Sequence, residues 1–194
     1  MTETRERFLS VATELFAERG FYGTSIAAIA DALPYTKQAL LHHFGSKEKL
    51  YGEVIRRISE RLVHEMRAVG DAKTTREQFE KSLIGFLESA FRHPADSQLL
   101  MRELLDNRRR AKAAKSWYLK PFLESLTDML LRVPGTDIRN RTTALAAVYQ
   151  LLGAISYFVV SQPTLERMYG RKEFTALQAN YAMELRKLIA ARLD

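Results

Sequence analysis

The chain has 194 residues, 46% of them apolar, which is enough to bury a core and excludes disorder as its main state. It contains no cysteine, so disulfide scaffolds, cysteine-ligated zinc, iron–sulfur clusters and thiol nucleophiles are excluded, and a reducing compartment fits. Thirty Lys+Arg against 23 Asp+Glu leave a net charge of +7, which suggests a polyanionic partner without saying which.

The first seven residues, Met1 to Arg7, are charged and lack an apolar stretch, so no signal peptide is expected. Nine glycines and five prolines argue against a many-turned β protein. Apolar residues recur at helical spacing almost throughout, and no period-2 run appears; the expected fold class is all-α. Phe8, Val11, Ala12, Leu15 and Phe16 form one face of a first helix, with Gly20 as its left-handed end and Phe21 as the apolar contact beyond it. A second helix is predicted from a Thr24 cap through Ile26, Ile29, Ala30 and Leu33, ending at Pro34. Thr36 caps a third, short helix over Lys37 to His43. Gly45 breaks it, and Ser46 caps a fourth that carries Leu50, Val54, Ile58 and Leu62.

Further along, Phe79, Leu83, Phe86, Leu87 and Ala90 share a face closed by His93-Pro94, and Leu99 to Leu105 begins the next helix. Trp117 to Val133 is predicted as one helix, in which Pro121 implies a kink or a restart. Asp137 to about Ser161 is predicted as a core helix, uncharged from Thr142 on. Thr142 to Leu165 holds no charged residue and reaches membrane-spanning length. Its polar positions, among them Gln150, Ser156 and Gln162, fit a buried helix better than a lipid-facing one, so no membrane association is expected. A last helix from about Lys172 carries Phe174, Leu177, Tyr181, Leu185 and Leu188 on one stripe.

Two short helices joined by a tight turn, within a three-helix unit, describe a helix-turn-helix. On the second of them Thr36, Lys37, Gln38, His42 and His43 are polar, while Ala39, Leu40 and Phe44 can pack inward or meet a thymine methyl. Taken alone, the pattern also fits a solvated helix face. From Phe8 to Tyr51, however, the segments LFAERGFYGTS, IAAIAD, the Thr36-led helix and HHFGSKEKL follow one another in order. This stretch resembles the N-terminal domain of the tetracycline-repressor (TetR) family.

The resemblance implies backbone-phosphate contacts at Thr24 and Ser25, groove-facing roles for Thr36, Lys37, Gln38 and His42, and flanking phosphate contacts at His43 and Lys47. Two positions depart from the family pattern. Pro34 stands where a turn glycine is usual, and Leu41 where a phosphate-binding tyrosine is usual. Residues 1 to 56 carry seven Lys+Arg and seven Asp+Glu, so the charge excess lies beyond them. Part of it is the run Arg108 to Lys115, readable as a solvated surface or as an anion site.

The domains expected are a DNA-binding domain over 1–46 and an effector-binding and dimerisation domain over 47–194, with the helix from about 47 to 69 as connector. The apolar helix around Val148, Leu152 and Gly153, together with Tyr181 and Leu185 of the last helix, is the expected dimerisation surface, or else the centre of a monomeric core. Phe86, Trp117, Tyr118, Phe122 and Tyr149 are candidates to line a small-molecule pocket, although each also fits plain core. No phosphate-binding loop, dinucleotide fingerprint, nucleophile elbow or zinc-protease motif occurs. His42, His43, His64 and His93 have no acidic residue at metal spacing, so no metal, cofactor or catalysis is expected. The resemblance implies a homodimeric cytoplasmic regulator that binds palindromic double-stranded DNA and is released by an unknown effector. The alternative is a helical adaptor with a vestigial DNA-binding head.

Overall fold

A computed structural model describes residues 3–68, 70, 72–106 and 118–194. Trp117 and the basic run Arg108 to Lys115 lie outside the described residues. The elements are α1 (Glu3–Gly23), α2 (Ile26–Asp31), α3 (Lys37–Phe44), α4 (Lys47–Arg67), α5 (Thr75–Arg92), α6 (Pro94–Asp106), α7 (Lys120–Leu131), α8 (Arg141–Tyr169) and α9 (Arg171–Leu193). Among the described residues there is no strand. The chain forms two compact units, Met1–Glu60 with Ala95–Tyr118, and Arg61–Pro94 with Leu119–Asp194.

In the first unit Phe8, Ala12 and Phe16 of the expected α1 face are buried, joined by Leu9 and Ala17, while Val11 and Leu15 are half-buried. Gly20 breaks the helical path with φ 72°, a conformation open to glycine at no steric cost. The turn it makes tucks Thr24 beneath the end of α1. The Thr24 hydroxyl is shared between the carbonyls of Gly20 (2.9 Å) and Leu15 (3.0 Å). Capping of α2 therefore falls to Ser25, whose Oγ accepts from the Ala28 N–H at 3.0 Å, one residue later than the sequence suggests. The helix also stops earlier than expected, at Asp31, and residues 32–36 form the turn.

In the second unit α5 contributes Phe79, Leu83, Ile84, Phe86 and Leu87, and α8 contributes Ala144, Val148, Leu151, Ile155 and Val159. Of the two proline expectations, Pro121 marks a helix restart rather than a kink, and the helix end at Pro163 does not occur. Pro121 sits in the first turn of α7, where its missing N–H has no helical partner to lose, so no kink lies inside that helix. Pro163 does not end α8, which starts after an Asn140 cap at Arg141 and continues to Tyr169. The forgone bond is one in a 29-residue helix, and packing along α8 offsets it. By length and composition alone α8 could cross a bilayer, yet its inner face is core. On α9 the buried stripe is Phe174, Leu185, Ile189 and Leu193, whereas Leu188 is exposed.

Candidate nucleic-acid interface

The reading helix is fixed from both ends and from beneath. At its start Thr36 Oγ1 accepts from the Ala39 N–H at 3.1 Å, satisfying one of the amides that an α-helix leaves unpaired. At its end Gly45, with φ 78°, turns back so that its N–H meets the Leu41 carbonyl at 2.7 Å. Leu40 and Phe44 are buried, one turn apart, against α1. The Phe8 ring lies 6.4 Å from that of Phe44 and 6.0 Å from the His43 imidazole. With that row turned inward, Lys37, Gln38 and His42 are left exposed, and Gln38 and His42 stand one turn apart on the same outer face.

The turn before α3 contains no left-handed residue. The Tyr35 N–H reaches the Leu33 carbonyl at 2.8 Å, a tight three-residue turn centred on Pro34. A proline ring presets the φ near −65° that such a turn needs, which is how proline serves where the family pattern has glycine. Tyr35 then fastens the turn to α1: its ring lies 5.2 Å from Phe8, and its hydroxyl is 3.2 Å from that of Thr4. The sequence reading missed Tyr35, although a tyrosine directly after a turn proline is a recognisable anchor.

The remaining predicted contacts fall as follows. Ser25 is exposed and Thr24 is 2% exposed, so the Thr24 hydroxyl is turned inward, away from any phosphate. His43 and Leu41 are half-buried, and leucine cannot donate a hydrogen bond. Lys47 opens α4 with its ammonium 4.3 Å from the centre of the Phe21 ring, a cation–π contact that sets where its charge lies. Two ion pairs join α1 to α4 in opposite senses: Glu6 of α1 pairs with Arg57 at 2.6 Å, and Arg5 of α1 pairs with Glu53 of α4 at 2.6 Å.

A match to the model of bacterial regulatory proteins of the TetR family covers residues 8–54, the segment that builds this capped and anchored reading helix. That segment is a TetR-family N-terminal domain. It is 44% identical over 52 residues to the transcriptional repressor KstR2 of Rhodococcus jostii, and 29% identical over 116 residues to the transcriptional regulator UidR of Escherichia coli K12. These alignments cover 27% and 60% of this chain, and the chain spans 26% and 59% of the length of those relatives. Among solved structures, the fatty acid degradation regulator FadR of Bacillus halodurans superposes with a TM-score of 0.75 at 16% identity, over 96% of each chain. The chain thus shares an all-α fold with that structure over nearly its whole length, and its sequence likeness to the TetR family lies at the head.

The pocket candidates do not converge. Phe86 and Phe122 meet, with ring centres 5.5 Å apart, and line a small cavity with Leu62, Glu65, Met66 and Gly85. Tyr149 is instead half-exposed on the outer side of α8, because its position on the helix faces away from Val148 and Leu152. Tyr118 belongs to the first unit, where it packs over Gly52 and accepts at its carbonyl from the Ser59 hydroxyl. Of the dimerisation candidates, Val148 and Leu185 are turned into the chain's own core and have no surface to offer a second molecule. Leu152 is nearly as buried. Tyr181 stacks on Phe158 and donates to the Ala154 carbonyl at 2.7 Å. Gly153 alone of the five is exposed.

Proposed function

We propose that the chain is a one-component transcription regulator, a repressor relieved by a small molecule, which reads palindromic DNA as a homodimer in the cytoplasm. The observation that carries this is the outward row of Lys37, Gln38 and His42 on a helix whose other side, Leu40 and Phe44, is locked in the core. Such a helix enters a major groove with its side chains already aimed. Thr36 and Ser25 serve at the helix starts, and His43 and Lys47 serve the flanking phosphates. The repressor sign is supported by the name given to KstR2.

Dimerisation is supported by an exposed row on α8, with Leu145, Tyr149, Gly153 and Tyr157 at four-residue spacing. That much contiguous apolar surface on a helix calls for a cover. Beside it an open groove of about 960 Å³ between α8 and α9 is lined by Tyr157, Phe158, Met168 and Tyr181. Two heads held by such a bundle would meet major grooves about 34–36 Å apart. The effector module is residues 47–194 and the head is 1–46. α4 carries Lys47 at one end and the cavity residues Leu62 and Glu65 near the other, which suits it to couple ligand to DNA. Selection of bound sequences from random DNA tests the reading. Enrichment of one inverted repeat is expected, and no enrichment would indicate a helical adaptor.

A further inference from the structure

The inner side of α3 is filled by Leu40 and, one turn later, by Phe44, both buried. Leu41 belongs to another side. It is half-buried, and it follows Lys37 by four residues and Gln38 by three, so it lies beside both of those exposed side chains, one helical turn on. Its backbone is held, because the Leu41 carbonyl accepts from the Gly45 N–H at 2.7 Å and the Thr36 cap fixes the other end of the same helix. A leucine there can hydrogen-bond neither a phosphate nor a base edge. What it offers is a branched apolar surface, partly open, between a cation and an amide. In the major groove its natural counterpart is the 5-methyl group of thymine. Ala39, the other half-buried apolar residue of the helix, ends at its β-carbon and stays close to the helix surface.

Resting on the DNA-reading function above, we propose that Leu41 is a specificity-determining residue, which selects a thymine by packing against its 5-methyl group. That thymine lies about one base pair from the one that Gln38 reads: three residues advance about 4.5 Å along a helix, against a base-pair step of about 3.4 Å. Burying the methyl against leucine favours thymine over a base without one. The contact involves no phosphate, so it adds to sequence preference and leaves affinity for random DNA as it is.

The duplex enriched from random DNA by the full chain is the probe, with each thymine replaced in turn by deoxyuridine in both half-sites. That change removes one methyl group and no hydrogen bond, and it cannot unfold the protein. At one thymine position the wild type is expected to lose about fourfold in affinity per half-site, the effect of one buried carbon. Leu41→Ala, which keeps a strong helix former at that position, should bind the thymine duplex more weakly and lose the discrimination there, while sensitivity at every other thymine persists. Leu41→Met, apolar and of similar volume, should keep it. Discrimination that survives in Leu41→Ala, an equal loss for that variant on random duplexes, as a purely structural leucine would give, or a scan in which no thymine matters would each overturn the role of Leu41 while the enriched sequence upholds the regulator. Enrichment of no sequence would bring down the regulator reading and this proposal with it.

Discussion

Glu53 has two arginine partners, Arg5 from α1 and Arg56 from its own helix. Its carboxyl is held down to about 2, chiefly by the hydrogen bond from Arg56, with that from Arg5 adding to it against the opposing effect of burial. Folding therefore favours the ionised form. The stabilisation is complete above the ordinary value of 4.5 and fades as pH falls from there through about 2. After solvent screening at the exposed Arg56 it amounts to on the order of 2 kcal/mol. Urea denaturation across that acid range should show Glu53→Gln losing most of this pH dependence. On the reading face, Gln38→Ala is expected to relax preference at one base pair and cost about 1–3 kcal/mol on the selected site. Lys47→Ala should weaken all DNA alike and lower the salt slope by about one. Binding titrations on selected and random duplexes at several salt concentrations separate the two; equal losses for both variants on both duplexes would refute the assignment.

At the scale of elements, helix ends are held by arginines from distant helices. Arg102 of α6 donates to the carbonyls of Ala17 (2.6 Å) and Glu18 (2.7 Å), just before the Gly20 break in α1. Arg76 of α5 does the same at the end of α9, reaching the carbonyls of Leu193 and Ala190. Both place a cation where the helix dipole is negative and the last carbonyls lack partners. Beside Arg102, the Tyr51 hydroxyl donates to the buried Glu103 carboxyl at 2.5 Å, tying α4 to α6. Arg102→Ala is expected to destabilise the folded chain by about 1–3 kcal/mol, through two lost charge-assisted bonds. An unchanged midpoint in chemical denaturation would show the contact to be idle. Loss of the α3 cap in Thr36→Ala should cost about 1 kcal/mol by the same measurement.

For the whole molecule, the decisive question is what covers the outer side of α8. Gly153 is exposed, and a β-carbon there meets nothing within 4 Å, so Gly153→Arg leaves the folded chain undisturbed while placing a bulky cation in the proposed contact between copies. Sedimentation at micromolar concentration should give a dimer for the wild type and a monomer of unchanged helicity for the variant. A wild-type monomer would sink the dimer proposal. The charge distribution acts at this scale as well. Residues 1–56 are neutral by count, but Glu6 and Glu53 are paired with Arg57, Arg5 and Arg56 between α1 and α4, while Lys37 stands exposed on α3.

The helices, the three-residue capping pattern at Thr36 and Ser46, and the polar face of α3 were legible because they depend on neighbours within one or two turns. Hydrophobic period and side-chain capping are local, and so was the family pattern from Phe8 to Tyr51. Thr24 misled for the opposite reason: threonine and serine cap equally well in principle, and only the turn at Gly20 decides which of Thr24 and Ser25 is folded under α1. The same holds for Val148 and Tyr149, both apolar enough for core or interface, whose assignment depends on where α8 meets α5, α7 and α9. Glu65 and Gly85, some twenty residues apart on two helices, carry no shared signal in the sequence. Their meeting at one small cavity is a product of long-range packing, which no local pattern encodes.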